Sequence, residues 1–150
     1  MPTYTVFAPA GRLSGAQKQS VAREVTRVHN EVTGAQTFFA QVIFVDVPAG
    51  NWFVGGSPLQ GDQVFVHGQV RGERPKAMKA ALLAELLKAV GEAGAFASNR
   101  VWGYIVDLPP ADMAEYGHVL PMPGREAEWL AGLPADDRAL MQRLGRIDAG

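Results

Sequence analysis

Pro2 stands directly behind Met1 and offers chemistry that no internal residue can supply. Methionine removal proceeds when the second residue is small, and Pro2 would then carry a free secondary amine. A free α-amino group titrates near ~7.7–8.0, and an apolar pocket that disfavours its charged form lowers that value. A terminal proline can thus hold an acid or a base poised near neutral pH. With Met1 attached, the same nitrogen is an amide and does none of this. The dipeptide alone is better read as an ordinary early residue; the residues further along reverse that preference.

Arg71 and Arg74 are the strongest local signal. Arg71 closes an apolar run read as a strand, and Arg74 precedes Pro75 at the start of an expected helix. Two guanidiniums bracketing a helix N-terminus combine fixed donors, positive charge and the helix dipole at one point. That arrangement suits a small carboxylate or phosphate. Read the other way, they are solvated arginines in a connecting turn, with Glu73 as counter-ion. The residues alone leave these two readings level. His29 lies on the edge of an apolar helical stripe, four residues after Val25, where the negative end of the helix dipole would help it keep a proton. A lone histidine there is more often half-buried and satisfied by a backbone carbonyl. Tyr104 alternates with Trp102 and Val106 and by itself reads as core. Glu115 falls in the turn-rich stretch 110–117, where a surface carboxylate is the default.

Several other chemistries lack their residues. His67 and His118 complete the histidines but form no HxxxH or HxxEH spacing, and without cysteine a zinc site would need scattered ligands. The run Gly55-Gly56-Ser57-Pro58 does not match the GxSxG nucleophile elbow. Neither GxGxxG nor GxxxxGK[ST] occurs, so nucleotide binding by those devices is unsupported. Lys plus Arg total 14 against 15 Asp plus Glu, for a net charge of −1. Nothing in that balance calls for nucleic acid or an anionic membrane, and no basic stripe is interleaved with aromatic residues. The absence of cysteine excludes disulfides and thiolate nucleophiles. No apolar run approaches the ~20 residues of a membrane helix, and no signal-peptide pattern opens the chain. The expectation is a soluble cytoplasmic protein.

The elements that must position these residues follow from periodicity. With 150 residues, 47% apolar and 19% charged, the chain is expected to be one domain with a proper core. Residues 3–8 read as a strand. Ser14 with Gln17 makes a capping box opening a helix whose Val21, Val25, Val28 and Val32 share one face, with Gly34 as its stop. Residues 38–47 read as a second strand, nearly continuous in apolar residues and so expected to be buried on both faces. Residues 48–62 suggest a loop or short hairpin. The pattern then repeats: a strand over 63–71, a helix opening at Pro75 with Met78, Leu82, Leu86 and Val90 inward, and a strand over 100–108. Two consecutive β-α-β units are therefore expected, about 2–50 and about 62–108 of a single α/β domain, each with parallel pairing by right-handed crossover. A Pro-rich tail, 109–150, carries short helices around Trp129 and 136–144 that pack on the body or on a neighbouring subunit.

Taken together, these residues resemble the tautomerase superfamily, specifically its cis-3-chloroacrylic acid dehalogenase family. The resemblance spans essentially the whole chain. It runs from Pro2 through Val28-His29, Ala40-Gln41-Val42, Phe65-Val66-His67-Gly68, and Arg71 with Arg74. It continues through Val101-Trp102-Gly103-Tyr104, Glu115-Tyr116-Gly117 and Pro123-Gly124…Glu128-Trp129. A terminal proline alone is weak; the matching order and spacing of the whole set is specific. The family fold so implied is two consecutive β-α-β units assembled as a homotrimer. The second unit begins internally at Gln63, so each chain has one catalytic proline.

The resemblance also implies roles. Arg71 and Arg74 would grip a small carboxylate substrate, assisted by His29, and draw electrons from the β-carbon of an α,β-unsaturated acid. Glu115, helped by Tyr104, would activate water for attack there, and protonated Pro2 would deliver a proton to the α-carbon. With a halogen at the attacked carbon, the halohydrin collapses to malonate semialdehyde and halide. The same site could ketonise enols such as phenylenolpyruvate. No metal or organic cofactor is needed. The chain departs from the family pattern at 33–38, where small residues replace bulkier or hydroxyl-bearing ones, and at His118, where an arginine is expected; both weaken the case for efficient dehalogenation. The rival reading is a non-catalytic oligomeric scaffold or carboxylate-binding module, favoured if Met1 is retained.

Overall fold

Ser14 caps the first long helix as its sequence requires. Its hydroxyl accepts from the Gln17 amide, and the Gln17 side chain accepts in return from the Ser14 amide. The computed structural model describes residues 2–145. In it, β1 (Thr3–Pro9), α1 (Gly15–Thr33) and β2 (Gln41–Val47) form one β-α-β unit. After a small hairpin of β3 (Phe53–Val54) and β4 (Ser57–Pro58), the unit recurs as β5 (Val64–Arg71), α2 (Lys76–Gly94) and β6 (Val101–Leu108). Gly34 ends α1 at φ 71°, a left-handed conformation that glycine adopts without strain.

The main sheet has the order β2-β1-β5-β6. Pairing is parallel within each unit, and the units join antiparallel at β1 and β5, with Tyr4 opposite Gly68. Both helices cover one face of this sheet. Tyr4, Val6, Val64, Val66 and Val70 from the strands pack with Val21, Val25, Leu82, Leu86 and Val90 from the helices in one core. The valine stripe of α1 and the leucine stripe of α2 are buried because each faces this sheet.

Three expectations need correction. Residues 38–47 do not form one strand: Thr37–Phe39 is a 3₁₀ turn, and β2 begins at Gln41. Nor is β2 buried on both faces. It lies at the sheet edge, where Val42 and Phe44 meet the helices while Ile43 and Val45 stay exposed. Trp102, Tyr104 and Val106 likewise are not core. They project from β6 on the face that no helix covers, with Tyr104 58% exposed. Alternation identifies a two-sided strand; it does not say which side is covered. A smaller difference is Pro75, which sits one position outside α2, at its N-cap, with Met78 only half-buried.

The tail forms a hairpin of β7 (Ala114–Glu115) and β8 (His118–Val119), then helices α3 (Glu126–Gly132) and α4 (Ala135–Leu144). It docks through a second cluster in which Phe39 and Leu120 meet Phe38, Met113, Tyr116 and Trp129. The apolar half of the 37–39 turn is thus covered by the tail rather than by the sheet. The last residues of the expected tail, 146–150, lie outside the described residues. Among the described residues, no helix is long and apolar enough to cross a membrane.

Candidate active site

Pro2 is fully buried at the head of β1, and its carbonyl accepts from the Gln41 amide at 3.0 Å. Parallel pairing of β1 with β2 therefore fixes where this residue sits. Two positions on, Tyr4 turns toward the helices and its hydroxyl meets His29 Nδ1 at 2.7 Å. The phenol makes no other hydrogen bond among the described residues, and burial holds it protonated. It must therefore donate, leaving Nδ1 as acceptor and placing the neutral ring's proton on Nε2.

His29 is 1% exposed, and among the described residues its Nε2 has no hydrogen-bond partner. The helix-dipole argument, which would keep this ring protonated, fails here. Burial comes first and the charge of Arg74 second, with Arg71 adding to them, and together they lower the His29 pKa to about 3. The ring is thus a neutral donor, not a cation. It is also not satisfied by a backbone carbonyl, as a lone histidine would ordinarily be.

Arg71 is 3% exposed, which overturns the reading of a solvated pair. Its Nη1 donates to the Pro121 carbonyl at 2.8 Å, and its Nη2 is ion-paired with Glu126 at the start of α3. Glu126 is its counter-ion rather than the adjacent, exposed Glu73. Arg74 is half-buried and donates to the Arg71 carbonyl at 2.6 Å. Burial, then the repulsion of Arg71, makes its charge less favourable than usual. Both guanidiniums border a cavity of about 390 Å³. Residues 33–36 and Phe39 line the same cavity.

Glu115, on β7, borders a neighbouring recess of about 820 Å³ with Thr3, Phe38, Gln69 and Tyr116. Phe39 borders both spaces. Burial pushes the Glu115 carboxyl above the usual range, while the Arg71 charge pulls it back. It is not the solvated surface carboxylate that its local sequence suggests. Pro2, His29, Arg71, Arg74 and Glu115 thus sit around one end of the sheet, where burial or the arginine charges act on each. Tyr104 does not join them within this chain. It projects from the uncovered face of the sheet and packs edge-on against Phe65, with ring centroids 5.0 Å apart.

Sequence reasoning overlooks Tyr4 and Glu126. Neither lies near its partner in the chain, but Gly68 carries a usable signal. A glycine inside a strand often marks a close approach, and here the Tyr4 ring lies over it. A methyl added to Gly68 would stand 2.7 Å from Tyr4 Cε1, displacing the ring and its bond to His29. Gly68→Ala is expected to destabilise the fold by ~1–3 kcal/mol, read as a lower urea midpoint with an unchanged slope.

The family model described as putative oxalocrotonate tautomerase enzyme matches residues 1–132. The crystal structure of N1, a member of the cis-3-chloroacrylic acid dehalogenase family, is similar with a TM-score of 0.90. It is 31% identical, and the match covers 94% of this chain and 99% of that one. A fused 4-OT solved as a wild-type asymmetric trimer shares the fold at a TM-score of 0.72 and 22% identity, over 78% of this chain and 94% of that one. No curated protein matches in sequence. With this fold, a buried proline heading its first strand, Arg71 closing its third long strand and Arg74 in the connection that follows, the chain belongs to the tautomerase superfamily as a homologue within the cis-3-chloroacrylic acid dehalogenase family.

Proposed function

We propose that this chain is a cofactor-independent enzyme acting on small unsaturated or enolisable carboxylates through Pro2, once Met1 is removed. The observation that carries the reading is that Arg71 and Arg74 line one cavity while the charge of both acts on the neutral, buried His29 ring, with Pro2 buried at the head of β1. The arginines and the Nε2–H of His29 supply donors for a carboxylate, and the cationic charge favours electron flow away from the β-carbon. Glu115, made more basic by burial, takes a proton from water as its oxygen attacks that carbon. Protonated Pro2 gives its proton to the α-carbon. With cis-3-chloroacrylate the adduct loses halide and a proton to give malonate semialdehyde. With an enol such as phenylenolpyruvate, Pro2 moves the proton from oxygen to carbon and no water is consumed.

Tyr104 requires more than one chain on this reading, because its own sheet separates it from His29. The relatives include a trimer, and the uncovered face bearing Ile43, Trp102, Tyr104 and Val106 suits burial against other copies of this chain. The proposed assembly is a homotrimer in which Tyr104 serves a neighbouring site. Purified protein incubated with cis-3-chloroacrylate and with phenylenolpyruvate, followed by NMR, is expected to convert at least one of them, and Pro2→Ala is expected to slow that conversion. No conversion of either acid, or rates unchanged in Pro2→Ala, would overturn the proposal. Carboxylate binding by calorimetry without turnover would leave the protein a binding module.

A further inference from the structure

Arg71 meets the cavity already neutralised. Both of its Nη groups are engaged, one by the Pro121 carbonyl and the other by the Glu126 carboxylate, which lies on the same cavity wall. Arg74 is different: among the described residues no carboxylate forms an ion pair with it. On the lining of this cavity itself, which includes neither Pro2 nor Glu115, two guanidiniums and one paired carboxylate leave a single positive charge. Asp107, which also acts on Arg74, is paired with Lys79. The other acids nearby do not raise it. Glu73 sits exposed at the rim, where water screens it, and Glu115 can only add negative charge.

Resting on the carboxylate reading above, we infer that Glu126 sets the charge of this cavity so that it accepts singly charged acids and excludes doubly charged ones. Removing the negative charge while keeping the side-chain shape frees Arg71 and leaves two positive charges facing the ligand. A second carboxylate on the ligand then gains a partner where it previously met Glu126.

The test uses two acids of like shape, isocrotonate and maleate, differing in a methyl against a second carboxylate. Calorimetric titration is done on the full-length protein at a pH where maleate carries both charges. The wild type is expected to bind isocrotonate at least tenfold more tightly than maleate. Glu126→Gln is expected to move that ratio at least tenfold toward maleate, while Glu126→Asp keeps the wild-type ratio. A wild type that binds maleate as well as isocrotonate overturns the inference without any variant, so a misfolded Glu126→Gln does not shield it. Binding of isocrotonate with a ratio moved less than tenfold sinks the role of Glu126 alone. Binding of neither acid to the wild type sinks the carboxylate reading and this inference with it.

Discussion

Protein whose Met1 stays attached is expected to turn over its substrate about 10²–10⁴-fold more slowly than protein beginning at Pro2. The two forms differ in one nitrogen. As a secondary amine it has a lone pair that titrates; as an amide it has none to lend. The fold gives no reason for other losses, because Pro2 is held through its carbonyl, which accepts from the Gln41 amide in either form. Inserting one alanine ahead of Pro2 fixes the amide form whatever happens to Met1. The insertion variant is expected to keep its thermal midpoint and its carboxylate affinity to within a few fold while turnover falls. Equal turnover by both forms, with their intact masses checked, would remove Pro2 from the mechanism.

The second large effect concerns acid stability. His29 titrates near 6.5 when unfolded but is lowered to about 3 in the fold, first by burial and then by the Arg74 charge. Between those values the unfolded chain binds a proton that the native chain refuses. The contribution is therefore complete above pH 6.5 and is lost progressively as pH falls toward 3. Its size over that whole interval is on the order of 5 kcal/mol. His29→Gln carries no such proton in either state. The stability difference between wild type and His29→Gln is expected to shrink steadily from pH 7 to pH 4 in urea titrations. Carboxylates common to both proteins, including Glu126 with its lowered pKa, cancel in that difference. A gap that stays constant or widens in acid would mean that His29 is charged in the native state.

Local features are legible in the sequence because their causes are local. Ser14 and Gln17 announce a capping box three residues apart, and Gly34 announces a stop; both act within one helical turn. The parallel pairing inside each unit follows from a long helix between two strands. What escapes is anything decided between distant segments. Tyr4 and His29 are 25 residues apart, Arg71 and Glu126 are 55, and no periodicity links either pair. The charge state of His29 escapes for the same reason. A helix dipole can be read from one segment, whereas the burial and the neighbouring guanidinium that outweigh it come from others. Tyr104 reads as core because alternation marks a face without saying what lies against it.

The bare side of the sheet has a thermodynamic consequence. Ile43, Trp102, Tyr104 and Val106 present apolar area to water in the lone chain. Any self-association that hides this area draws the folding equilibrium along with it by mass action. The melting temperature would then climb with the amount of protein in the cuvette, so a single value has meaning only beside the concentration at which it was measured.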